Sequence, residues 1–250
     1  MSKLWWLNSR SHTEFLAPSV IIGGRGSADS VSGILARQFA VTNGTVLVAI
    51  DDIVWANGLA QGLFKDLAAA GYNVVISGGF GSEPDSNVVD AAAARARETN
   101  AGVIIGIGGG SVLDSSKLLA LLVRNDGLTA DWLGVVDPPN GLAPLLLIPT
   151  TCGTGSEATR IAMVTVDGAK RASSCPRYIP DVVVIDPDLV SSLPGPVVAS
   201  TAMDALAHAV ESLMSTSHSP MSAHHALRAI ELLVDNIEGA YAGNQEALAQ

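Results

Sequence analysis

Residues 102–108 read GVIIGIG, an apolar run with no polar side chain in it. A strand with one wet face alternates apolar and polar positions, whereas an uninterrupted apolar strand is covered on both faces. That requirement selects a parallel sheet with helices on either side. The surrounding sequence repeats the character. PSVIIG (18–23), TVLVAID (45–51), YNVVIS (72–77), LAPLLLIPTT (142–151), RIAMVTV (160–166) and DVVVIDP (181–187) are short, β-branched and predicted as strands. Helical patterns separate the earlier ones. They are ADSVSGILARQFA, then VWANGLAQGLFKDLAAAG (54–71) with a glycine cap, then SNVVDAAAARARETN, then a helix running to about Val123.

After about Leu193 the strands stop, and PVVASTAMDALAHAVESLMS and SAHHALRAIELLVDNIEGAYAG carry helical periodicity. The predicted class is therefore α/β. A Rossmann-like, parallel-sheet nucleotide-binding domain spans 1–190, and 191–250 forms the first helices of an all-α domain. The chain ends at QEALAQ, still inside a helical pattern, and two amphipathic helices bury little by themselves. The expectation is a C-terminally incomplete helical domain.

A formal net charge of −10 argues against nucleic acid or an anionic membrane as partner. It leaves room for one phosphate-bearing ligand, because backbone N–H groups hold phosphate without basic side chains. Two cysteines, Cys152 and Cys175, make no disulfide framework and fit a reducing cytoplasm. MSKLWWLNSRSH lacks the apolar region of a signal peptide, and no window approaches the roughly 18 apolar residues of a membrane span.

Four constellations carry chemistry. The first is GIGGGSVLDSSK (106–117), glycines between a strand and a helix. Gly106, Gly108, Gly109 and Gly110 permit close approach of a ligand to the backbone. Ser111 is expected to cap the helix with Asp114 as its capping-box partner, and the helix N-terminus favours an anion. Ser111 stands where the Rossmann G-x-G-x-x-G places its last glycine, so this is a different loop.

The second is Asp51, at the end of a predicted strand. It is either a ribose acceptor or a helix N-cap, and it lies some sixty residues before the glycines instead of about twenty after them. The third is PTTCGTGSEATR (149–160), whose hydroxyls offer short donors to phosphate, ribose or carboxamide, or else form a Ser/Thr-rich turn. Cys152 within it is expected to be a small packing residue. The fourth is MDALAHAVE (203–211), where Asp204 and His208 project from one helix face. The pair is either half of a metal site or a His–Asp contact, and His218, His224 and His225 read as packed or solvated.

GGGSVLDSSK, PTTCGTGSE and MDALAHAVE, in that order, together with DVVVIDPDL, resemble the iron-containing (group III) alcohol dehydrogenases from about residue 17 onward. The resemblance implies a dehydroquinate-synthase-like fold and hydride transfer between NAD (or NADP) and a small alcohol or aldehyde, an oxidoreductase of EC 1.1.1 type. It also implies a divalent metal, Fe2+ or Zn2+, and a homodimer. By position it assigns Asp51 to the adenosine ribose, and Gly109, Gly110, Ser111 and Asp114 to the pyrophosphate. Thr150, Thr151, Thr154 and Thr159 fall on the nucleotide loop, Lys170 near the nicotinamide, and Asp204 and His208 on the metal, through which they are the catalytic residues. The same resemblance admits maleylacetate reductase or glycerol dehydrogenase chemistry, and a non-catalytic NAD(P)-binding module is the alternative from another class. Two departures stand out. Glu83-Pro84 replaces an Asn-Pro, putting a carboxylate where a phosphate would pass. The two further histidine ligands of the family belong to a segment that this sequence does not contain.

Overall fold

In the computed structural model, which describes residues 14–250, six strands pair in parallel. They are β1 (Val20–Gly23), β2 (Gly44–Ile50), β3 (Tyr72–Ser77), β4 (Val103–Gly108), β6 (Leu145–Pro149) and β9 (Val182–Ile185), in the order β1-β9-β6-β4-β2-β3. The α/β, Rossmann-like class read from the apolar strands is what forms. The N-terminal stretch read for a signal peptide lies outside the described residues.

Both faces of the sheet are covered, which is why β4 carries no polar side chain and β2 none after Thr45. Val46, Val48 and Ile50 of β2, with Val103, Ile105 and Ile107 of β4, enter one core with Ile34 and Leu35 of α1 (Val31–Phe39). Leu63 and Leu67 of α3 (Gln61–Ala69) complete it. Leu47, Ala49 and Ile104 face the other way, into a core with α4 (Ser86–Glu98) and α5 (Gly110–Arg124). The period-2 alternation of strand side chains thus feeds two apolar layers.

Two expectations change. The predicted helix 54–71 is broken into α2 (Asp52–Ala56) and α3, because Gly58 adopts φ +68°, a left-handed conformation that an α-helix cannot continue through. The predicted strand 160–166 does not join the large sheet. As β7 (Ile161–Val166) it pairs antiparallel with β8 (Ala169–Ser174) across an Asp167-Gly168 turn, both residues at positive φ. With β5 (Gly134–Val135) these strands make a separate three-stranded sheet, ordered β5-β8-β7.

The chain divides into two units. One holds Ala17–Thr150 and Ser156–Leu189, hence both sheets. The other holds residues 14–16, Thr151–Gly155 and Val190–Gln250. Its helices are α6 (Gly195–Met214), α7 (Pro220–Tyr241) and α8 (Gln245–Leu248). Ser219 caps α7 reciprocally with Ser222, and Pro220 occupies the first turn, where its missing N–H costs nothing. Gly195 lets the start of α6 approach the end of α7: an added Cβ would lie 3.0 Å from the Tyr241 carbonyl. No helix among the described residues is long and apolar enough to cross a membrane.

The tightest joint in the large unit is between β4 and α5. A Cβ at Gly106 would stand 2.3 Å from Ser116 Oγ and 2.8 Å from Leu147 Cδ2. Gly106→Ala is expected to lower unfolding free energy in denaturant by about 1–3 kcal/mol through overpacking. An unchanged denaturation midpoint would show that α5 shifts freely and does not fix the joint.

Candidate functional site

In the large unit, chain connections leave β2 and β4 in opposite directions. β2 leads outward to β3 on one side, and β4 leads through α5 to β6 on the other. Neighbouring strands whose connections diverge open a crevice at their carboxyl ends, the place where α/β sheets bind ligands. The glycine turn and Asp51 occupy the two sides of it. Register pairs Ile50 with Ile107, and the Asp51 N–H donates to the Ile107 carbonyl at 2.9 Å. Gly108 lies so close that an added Cβ would be 3.1 Å from Asp51 Cβ and 2.8 Å from Val112. Sixty residues of sequence separation vanish in the sheet.

Asp51 caps α2: its Oδ1 accepts from the N–H groups of Ile53 (2.8 Å) and Val54 (3.2 Å). The helix-cap reading is therefore realised, and it does not consume the carboxylate. Both bonds fall on Oδ1, and Oδ2 has no hydrogen bond among the described residues. Asp52 turns the other way and accepts from Gly79 N–H at 2.9 Å, tying the loop after β3 to the same end of the sheet.

The start of α5 differs from the expectation. The cap position is Gly109, which has no side chain to offer, and Ser111 lies inside the first turn. The first-turn N–H groups are left without a side-chain cap, the condition under which a helix end takes an anion. Gly109, Gly110 and Ser111 are half-buried.

Asp114 does not pair with Ser111. Its carboxylate, with 13% of the side chain exposed, is turned inward. Oδ1 accepts from Ser156 Oγ at 2.5 Å and lies 3.3 Å from Lys117 Nζ, and Oδ2 accepts from Met163 N–H at 3.0 Å. Lys117, with no exposed surface, also donates to Ser156 Oγ (3.0 Å), Thr159 Oγ1 (3.0 Å) and the Ile161 carbonyl (2.6 Å). Burial pulls the Lys117 ammonium below its ordinary pKa, with Asp114 opposing. Nothing in the sequence reading singled out Lys117. The available signal was the apolar run that directly follows it, Leu118 to Leu122, all of it buried.

The threonine loop is shared between the units. Thr150, buried, donates its N–H to the Gly108 carbonyl at 3.0 Å, so the loop leaves the sheet beside the glycine turn. Thr159 is held by Lys117. Thr151 and Thr154 belong to the helical unit, where Gly153 presses on α6: an added Cβ would be 2.9 Å from both Cβ and the carbonyl oxygen of Thr201. Cys152 is exposed, so it is not the packing residue expected of it. Lys170 is exposed on β8, across from Thr165. The Pro84 carbonyl accepts from Thr165 N–H at 2.8 Å, so the Glu83-Pro84 segment fastens onto the small sheet.

Asp204 and His208 do share one face of α6, with Oδ1 and Nε2 3.8 Å apart and the side chains 45% and 53% exposed. That is an open carboxylate–imidazole pair, beyond hydrogen-bond range. Among the described residues no third His, Cys, Asp or Glu joins it. His218 Nδ1 meets the Ser215 carbonyl at 2.5 Å, and His225 stacks on Phe15, with His224 edge-on to it.

The switch-point crevice, the uncapped glycine turn and the helices that follow define a Rossmann-like α/β unit succeeded in sequence by an α-helical one. The family model for iron-containing alcohol dehydrogenase matches residues 18–187. The model for the C-terminal part of the Fe-containing alcohol dehydrogenase family matches 198–250. The chain belongs to the iron-containing alcohol dehydrogenase family. It is 36% identical over 209 residues to long-chain-alcohol dehydrogenase 1 of Geobacillus thermodenitrificans, covering 82% of this chain and 53% of the relative. The solved structure of a 1,3-propanediol oxidoreductase superposes with a TM-score of 0.89 at 29% identity, covering 95% of this chain and 62% of that one. A sulfoacetaldehyde reductase from Bifidobacterium kashiwanohense, solved with NAD+, gives 0.88 at 30% identity over 96% of this chain and 64% of that one. The chain thus spans between about half and two thirds of the length of these proteins.

Glu157, next to the Lys117 cluster, is half-buried, and burial raises its pKa against the opposing pull of its own backbone and of Lys117. A carboxyl whose folded pKa is raised stabilises most below its ordinary value, and that contribution is lost as pH rises through the folded value. At neutral pH its ionised form is a burden. Glu157→Gln is expected to raise the melting temperature near neutrality, the gain shrinking towards zero below 4.5, the ordinary value of the group. A gain that persists unchanged in acid, or none at neutrality, would contradict this assignment.

Proposed function

We propose that this protein is an NAD-dependent, divalent-metal-dependent alcohol dehydrogenase or aldehyde reductase acting on a small alcohol or aldehyde. The observation that carries the reading is the juxtaposition of Asp51 with an uncapped glycine turn at the switch point of a parallel sheet. The pyrophosphate would lie on the N–H groups of Gly109, Gly110 and Ser111, with Thr150 alongside and Lys170 towards the nicotinamide. The unengaged Oδ2 of Asp51 would accept from the adenosine ribose. A 2′-phosphate beside that oxygen would meet like charge, which favours NAD over NADP.

Asp204 and His208 have the donor chemistry for Fe2+ or Zn2+, but among the described residues these two donors fall short of the three or four protein ligands such ions take. A divalent ion bound there would supply Lewis-acid polarisation of the substrate oxygen. The same two-donor count favours a second reading, NAD(P) binding without turnover. Membership of a family of named dehydrogenases places the first reading ahead of it. Two cysteines in the whole chain support a reducing cytoplasm as its compartment.

The test is NADH fluorescence titration, followed by NADH oxidation with short-chain aldehydes in the presence and absence of Fe2+ under anaerobic conditions. Binding with metal-stimulated oxidation is expected. Binding without turnover supports the second reading, and absence of binding removes the dinucleotide site altogether.

Asp51→Asn separates the two roles of this residue, since asparagine caps helices as well as aspartate does. Stability should hold, while preference for NAD over NADP falls by about tenfold as the like charge disappears. An unchanged ratio would take Asp51 out of the ribose site.

A further inference from the structure

Both ends of the threonine loop are fastened to the strand–turn–helix segment that carries the glycines. At its start, Thr150 N–H reaches the Gly108 carbonyl. At its end, Ser156, Thr159 and Ile161 are gathered on Lys117 Nζ at 3.0, 3.0 and 2.6 Å. Asp114 completes the second fastening, holding Ser156 Oγ at 2.5 Å and Met163 N–H at 3.0 Å. The two charged residues stand one turn apart on α5, so both bonds reach from the same helix whose first turn lies at the crevice.

Their chemistry is unlike that of a ligand-binding pair. Lys117 has no exposed surface, and its ammonium is encircled by a carboxylate, two hydroxyls and a carbonyl. It cannot touch a phosphate from there. A buried ion pair yields little net stability once desolvation is counted, and an apolar pair of similar volume often serves as well. What an ion pair does supply is direction, because every one of its hydrogen bonds requires a particular partner atom.

We infer that Lys117 and Asp114 are positioning residues that lock the far end of the threonine loop to α5 and so set the loop for dinucleotide binding. This rests on the dinucleotide reading of the glycine turn. Lys117 acts through Ser156 and Thr159, and Asp114 through Ser156 and the backbone at Met163.

The test compares the full chain with Lys117→Met and with Lys117→Met/Asp114→Asn. The single variant strands a buried carboxylate and is expected to be strongly destabilised. The double variant removes both charges and should recover a melting temperature near that of the parent. Two readouts are taken on the double variant. Amide hydrogen exchange at 156–163 should rise about tenfold or more while the strands of the large sheet stay protected. NADH should bind about tenfold more weakly. A double variant with parental stability, parental exchange at 156–163 and parental NADH affinity would overturn the inference. If the parent itself fails to bind NADH, the dinucleotide reading falls, and the exchange measurement still decides whether the clamp exists: unchanged exchange overturns it.

Discussion

The large unit depends on how closely α5 lies on β4. Gly106 and Gly108 carry no side chains on the face that meets the helix, and at either position a Cβ would fall well inside contact distance of Ser116 or Val112. The approach brings ten residues of α5 into the buried interior, among them Leu118 to Leu122. It also determines where the helix begins. With the helix held down on the strand, its first turn must open at the carboxyl end of β4, against Asp51. The same glycines that shape the turn therefore set the packing distance beneath it. A ligand site and a core joint are one constraint.

Charge is used economically around that joint. The chain carries fourteen lysines and arginines against twenty-four acids, yet one lysine is sunk entirely in the interior. It is directed at the chain itself, where it collects Asp114, two hydroxyls and a carbonyl. The anion-binding character of the crevice is left to backbone N–H groups at the start of α5, whose partial charge is fixed by the helix and adds nothing to the net charge. An acidic protein can bind a dinucleotide on those terms.

What was legible in the sequence follows from how local the signals were. The doubly covered strands announce themselves because VIIGIG (103–108) and VLVAI (46–50) exclude polar residues along their whole length. β8 did not, since AKRASS is mostly polar and half of it is exposed, and its formation is owed to the Asp-Gly turn that folds it back on β7. The break of helix 54–71 hung on Asn57-Gly58, a turn dipeptide inside an otherwise helical pattern. At the site, the glycines and Asp51 were visible as types but their adjacency was not. Asp114 shows a different failure. The Ser111–Asp114 spacing suits a capping box, and the Asp114–Lys117 spacing suits an ion pair equally well. One residue of difference in where the helix starts chose between them. A lysine on a helix is ordinarily solvated, so the apolar run after Lys117 was the one hint of its burial, and its partners were not legible.

The position of Asp51 shows which feature of a dinucleotide fold is physical and which is incidental. In the familiar fingerprint the acid follows the glycines by about twenty residues, because the strand after the glycine turn's helix returns beside the first strand. Here the acid precedes the glycines, and two helices, a strand and α4 intervene. The sheet nonetheless pairs β2 with β4 in a register that sets Ile50 opposite Ile107, and Asp51 arrives next to Gly108. Sequence order and spacing are consequences of connectivity. The requirement that survives is that acid and uncapped helix stand at the carboxyl ends of adjacent parallel strands. Because parallel strands all present their carboxyl ends at one edge, any threading that makes those two strands neighbours satisfies it.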